Sequence, residues 1–154
     1  MPEHTYTIVP FSISGFSWVG VLLLLAAVIP LGLLCFAIYS SRNAAFTISS
    51  EGVRITRDIY GRNIPASLIN AAETRVVDLN SDPQLGLTWK TNGISLPGYH
   101  AGWFRTKGGG KALAFVTDKS RVAAVPTLDG YTLLVSVPSP ENFVRDVRAT
   151  VRRP

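Results

Sequence analysis

The chain has 154 residues, of which 47% are hydrophobic and only 16% charged, and its formal net charge is +5. That length allows one domain of ordinary size plus one further segment. One cysteine excludes a disulfide framework, and with two histidines it leaves little from which to assemble a metal site.

Residues 1–15 contain no Lys or Arg and read as a short tail, in which the alternating stretch TYTIVPFSIS is extended. From Phe16 to Tyr39 the chain runs for 24 positions without a charge. At about 1.5 Å per residue such a helix covers the roughly 30 Å hydrocarbon core. Residues 16–39 are therefore expected to be a single transmembrane span, with Trp18 and Tyr39 near its headgroup levels. Pro30 and Gly32 are tolerated in such a helix. A cleaved signal peptide is not expected, because no basic n-region precedes the run and no small-residue cleavage pattern follows it. Arg42, Arg54 and Arg57 follow the span and no basic residue precedes it, so the C-terminal part is expected on the cytoplasmic side of the membrane.

Residues 40–43 read as a linker, and residues 44–154 as one folded domain. AFTISSEGVRITRDIYGRNIP alternates with period two and gives three strands, with Val53, Ile55 and Ile59 on one face. SLINAAETRVVDL gives a helical turn and then a strand near Thr74–Leu79. The turn-rich stretch 80–102 holds one strand around Trp89. GWFRT and KALAFVT form a hairpin around three glycines, and VAAVPT and YTLLVSV form another around Asp129-Gly130. The closing SPENFVRDVRATVRRP is an amphipathic helix. Ser139 is placed as N-cap and Pro140 at the first helical position, with Phe143, Val144, Val147 and Val151 on the buried face.

FTISSEGVRITRDIYGRNIP, TNGISLPGYHAGWF, GGGKALAFVTD and LLVSVPSPENFV together resemble a family of small bacterial pleckstrin-homology (PH)-like proteins with a single N-terminal anchor. The resemblance covers about residues 44–150. It implies a mainly β fold, a PH-like antiparallel sandwich or barrel of seven strands in two nearly orthogonal sheets, capped by a C-terminal helix. The strand pattern instead gives eight, with an insertion over 80–102. The resemblance implies no enzyme activity and no cofactor. Lipid-reading PH domains place basic residues on the first two strands around a basic loop. Here that loop is SSEG, acidic at Glu51, and only Arg54 and Arg57 follow.

Other signals for chemistry fail on their own requirements. GGGK is not a phosphate loop: Arg105 stands where the first glycine belongs, Ala112 replaces the hydroxyl residue, and a strand follows instead of a helix. GISLPG misses the nucleophile elbow because Pro97 occupies the second glycine position, so Ser95 reads as a loop residue. His100 is expected to cap or pack a turn. The scattered acids show no acid–base pairing. Trp89 and Trp103 beside basic residues are read as core rings, not as platforms for nucleic acid.

The expected function is a non-catalytic, membrane-anchored interaction or scaffold module on the cytoplasmic face of the bacterial inner membrane, with a protein partner. Beyond residue 41 the 15 basic residues face nine of the ten acids, which leaves that part at +6. A peripheral anionic-lipid headgroup binder is the first alternative, with Arg54, Arg57, Arg105, Lys107 and Lys111 as its contacts, and an enzyme, with no constellation of residues behind it, is the second.

Overall fold

The computed structural model describes residues 16–151; the expected N-terminal tail and Arg152 lie outside the described residues. The chain divides into two compact units, Met1–Phe36 and Ala37–Pro154. Helix α1 runs over Phe16–Asn43, so residues 40–43, expected as a linker, continue the helix. Pro30 lies within it without ending it. Within it every residue from Ser17 to Cys35 is exposed.

The second unit holds nine strands in two sheets and a closing helix. The first sheet is β1 (Ala45–Ser49), β2 (Gly52–Thr56) and β3 (Asn63–Pro65), antiparallel in that order. Ser49 faces Gly52 across a two-residue turn. Gly52 has φ 135°, and a Cβ there would run into the Ile64 carbonyl, so the position admits glycine alone. Val53, Ile55 and Ile64 are buried, but Ile59 is 69% exposed. The expected alternation ends at Thr56, because Arg57 adopts a left-handed φ of 62° and starts a loop.

Short 3-10 turns at Ala66–Leu68 and Ala71–Glu73 lead to the second sheet. It comprises β4 (Arg75–Val77), β5 (Leu87–Leu96), β6 (Tyr99–Thr106), β7 (Lys111–Val116), β8 (Val122–Pro126) and β9 (Tyr131–Val135), in the order β4-β8-β9-β7-β6-β5. Both expected hairpins form. β7 and β9, however, pair in parallel. After β7 the chain skips one position before laying down β8, and β9 then returns into the gap. Filling that gap from β8 forces it to run alongside β7.

The expected insertion over 80–102 is a correction. Most of it is the ten-residue β5 and the start of β6, joined by Pro97-Gly98 with Gly98 at φ 73°. Trp89 is 74% exposed and fills no core.

The core explains why β7, β8 and β9 read as unbroken apolar runs. Their alternate residues bury on opposite faces. Leu113, Phe115, Val125, Leu133 and Val135 pack with the first sheet and with helix α2 (Pro140–Thr150). Ala112, Ala114, Val116, Val122 and Leu134 pack with Val77, Leu79 and Phe104, and Leu85 and Leu87 close over them. Helix α2 buries Phe143, Val144 and Val147 as expected, with Val151 just beyond it. The Ser139 side chain makes no cap hydrogen bond, although its carbonyl accepts from the Phe143 N–H at 3.1 Å. Arg148 Nε donates to the Thr74 carbonyl at 2.9 Å and ties the helix to the start of β4.

Candidate interaction surfaces

The five expected basic contacts separate into two groups on different sheets. Arg54 lies exposed on β2 opposite Thr47 and Asn63, and Arg57 begins the following loop. Arg105, Lys107 and Lys111 gather at the tip of the β6–β7 hairpin, where Arg105 stands directly across from Lys111. The glycines between them make the turn: Gly109 has φ 81°, and the Gly109 N–H donates to the Thr106 carbonyl at 2.9 Å. Arg105 Nη1 donates to the Gly109 carbonyl at 3.2 Å.

This tip is fixed from outside. The N–H groups of Lys107 and Gly108 donate to the carbonyls of Gly86 and Gln84 at 2.8 and 2.9 Å. The Lys107 methylenes lie where a side chain on Gly86 would go. Asp82 orders that strap by accepting the N–H groups of Leu85 and Gln84 at 2.6 and 2.8 Å. Those bonds, with the charges of Arg75 and Lys107 as smaller causes, hold its carboxyl below the usual carboxylate range. One acid thus offsets part of the basic tip.

Sheet edges give a second kind of surface. β5 is long and outermost, but its pairing with β6 slips between Leu87 and Lys90 and again between Lys90 and Asn92. Bulges and a lysine are devices that blunt an edge. β1 differs: it is the edge of the first sheet, in unbroken register with β2 over all five residues. Beside it runs α2, with Phe46 edge-on to Phe143 at 6.4 Å and to Phe115 at 5.5 Å. A groove of about 550 Å³ lies along this edge, lined by Phe46, Ile48, Val137, Phe143, Asp146 and Thr150 among others.

The residues set aside as loop and turn are strand residues. Ser95 on β5 faces His100 on β6, and Ser95 Oγ lies 3.0 Å from His100 Nδ1. The signal missed was their spacing, five apart around a Pro-Gly turn, which is cross-strand spacing once LPG is read as a hairpin. Trp103, read as a core ring, is half-buried against Tyr131 at 5.1 Å with the Arg62 guanidinium 4.8 Å above it. Among the described residues no group of three His, Cys, Asp or Glu could hold a metal ion.

Two sheets closed by a C-terminal helix raise the family question, and comparison answers it: the model of the bacterial PH domain matches residues 44–151. The chain belongs to the bacterial PH domain family. No curated protein and no solved structure matches it. The bacterial PH domain here is mainly β with two sheets and a C-terminal helix, as the resemblance implied. PH domains as a class are interaction modules. The helix ahead of this one is long and apolar enough over Ser17–Tyr39 to cross a membrane, a test that a signal sequence also passes.

Proposed function

We propose that the protein is a non-catalytic, single-pass interaction module, anchored by α1 in the bacterial cytoplasmic membrane with its PH domain on the cytoplasmic side. The length of the apolar run over Ser17–Tyr39 supports a retained anchor. The orientation follows from Arg42, Arg54 and Arg57 on one flank only. The partner is a protein segment that binds extended along β1, adding a strand to the first sheet while its apolar side chains enter the groove against α2. One observation carries this reading: β1 is an unbulged edge strand beside a groove to which Phe46, Ile48, Val137 and Phe143 contribute apolar surface. Main-chain hydrogen bonds would supply affinity and the groove would supply specificity.

A photocrosslinking residue at the exposed Thr47 tests this in native membranes. One dominant adduct is expected, and it should vanish when Thr150→Trp fills the groove. Equal labelling from position 89 on the blunted β5, or no adduct at all, would sink the reading.

The hairpin tip favours a second reading, contact with anionic lipid through Arg105, Lys107 and Lys111, with Arg54 and Arg57 adding charge from the other sheet. At about 1 kcal/mol per basic residue near an anionic surface, the tip alone raises vesicle affinity on the order of a hundredfold. Residues 37–154 should then cosediment with anionic vesicles at low salt and release as salt rises. Binding unchanged by Arg105→Gln, Lys107→Gln and Lys111→Gln together would exclude it.

A further inference from the structure

The cleft around Ser95 and His100 is separate from both surfaces above. Three stretches of chain wall it: the β5–β6 hairpin end, the turn after β4 at Asn80, and the β7–β8 connection at Thr117, Asp118 and Lys119. Its volume of about 620 Å³ suits a small organic ligand. The walls are held in place. The Leu79 N–H donates to the Lys119 carbonyl at 2.8 Å, and the N–H groups of Thr117 and Asp118 share the Ser136 hydroxyl at 3.2 Å each.

The polar groups define the ligand. Lys119 brings one full positive charge, and Ser95, Thr117 and Asn80 bring neutral hydrogen-bonding groups. One oxygen of Asp118, Oδ1, accepts from the Ser120 N–H and hydroxyl at 2.8 and 2.7 Å, and those bonds hold the carboxyl below the usual carboxylate range. A single lysine beside a fixed carboxylate suits one negative charge and opposes two. Donors on three walls match the tetrahedral oxygens of phosphate better than the coplanar pair of a carboxylate. The remaining volume, with Leu96, Pro97 and Gly98 in its lining, leaves room for two ester arms.

We infer that this cleft binds a singly charged phosphodiester, with Lys119 as its counter-ion and the Ser95–His100 pair as a proton-responsive donor. In the Nε2–H tautomer of the neutral ring, the Ser95 hydroxyl donates to Nδ1 and is spent there. Once the ring is protonated, Nδ1–H donates to Oγ and the hydroxyl is free to turn to a phosphate oxygen. Desolvation, with the nearby Lys119 charge as a smaller cause, holds the imidazole below its ordinary value, so the ring is neutral at pH 7 without ligand. Across the cleft the charged groups facing the ring are Lys119 and Asp118; the Phe104 ring lies edge-on at 5.9 Å. A bound anion favours the charged ring, so binding takes up a proton and tightens as pH falls.

The test uses the full-length chain in a phosphate-free maltoside detergent, with His4→Gln so that His100 alone reports by imidazole nitrogen NMR. Glycerophosphoglycerol is the soluble probe, and nanodiscs with and without phosphatidylglycerol supply the same diester from lipid. The His100 signals should shift with the diester, with affinity about tenfold higher at pH 5 than at pH 7.5, the gain expected when a charge-assisted hydrogen bond replaces a neutral one. Lys119→Met should abolish the shift. His100→Gln, followed through backbone amide shifts, should retain weak binding without the pH dependence. A response to the soluble diester or to the lipid alone supports the site and assigns the source. No response to either, an equal response in folded Lys119→Met, or an equal response to glycerate overturns the proposal.

Discussion

The two helices of this chain solve the same problem in different solvents. In α2 the apolar side chains fall on one face, where Phe143, Val144 and Val147 are buried, while Glu141, Arg145, Asp146 and Arg148 stay exposed. In α1 no such face exists: Leu22, Leu23, Leu24 and Leu25 follow one another and all are exposed. At about 25 cal/mol per Å² of apolar area, leaving that surface in water would cost more than a small domain's whole stability. An amphipathic helix takes its cover from its own chain, whereas a uniformly apolar one needs an apolar medium around it. In the proposed reading that medium is, for α1, a bilayer.

The sharpest way to break this comparison is to place the same charge in each helix. Val147→Asp puts a carboxylate at a fully buried position with no partner, which costs about 4 kcal/mol or more and unfolds the domain. Loss of amide NMR dispersion and of the cooperative denaturant transition would register it. Leu24→Asp should leave that transition untouched and instead oppose membrane integration by about 3 kcal/mol, read as release into the alkaline-carbonate supernatant. If Leu24→Asp lowers domain stability while integration survives, α1 is a packed helix of a soluble protein and the comparison fails.

Glycines sharpen it further, at smaller scale. Gly52→Ala forces a Cβ into the Ile64 carbonyl at a left-handed φ, and should cost roughly 2 kcal/mol by chemical denaturation. Gly32→Ala in α1 meets nothing within 4 Å and should leave the domain unchanged. Equal effects at the two positions would mean that α1 is confined as tightly as the β1–β2 turn.

What was legible in the sequence follows the same division. Period-two alternation gave β1 and β2 because one face of each is buried, the glycine turns marked both later hairpins, and the stripe in α2 marked its one buried face. Of Leu87–Leu96 only a strand around Trp89 was legible, and its length was not, because an edge strand with two bulges alternates weakly; Thr88, Trp89, Lys90, Thr91 and Asn92 are all exposed. The parallel pairing of β7 with β9 left no local trace, since it depends on where β8 was laid. The same limit applies to sites. Arg105 and Lys111 could be grouped from a hairpin signal, but the cleft joins residues 80, 95, 100 and 119, whose meeting depends on sheet order.

The smallest effect separates charge from packing. Ser139 makes no side-chain cap, so α2 rests on its apolar face, and Ser139→Ala should change little. Asp82 does cap its turn, and Asp82→Ala should cost about 1 kcal/mol at pH 7, solvent screening keeping it no larger. The sign with pH is fixed. The folded-state carboxyl is depressed below its unfolded value of about 4, so its contribution is complete above that pH and is lost as pH falls through the folded value. Denaturation at pH 7 and pH 3 should therefore show the gap between wild type and Asp82→Ala narrowing in acid. Asp82→Asn, which keeps an acceptor oxygen without the charge, should retain most of the stability and none of this pH dependence. A gap of equal size at both pH values would mean that the turn before β5, like α2, is held by packing alone, through Leu85 and Leu87 over the second core.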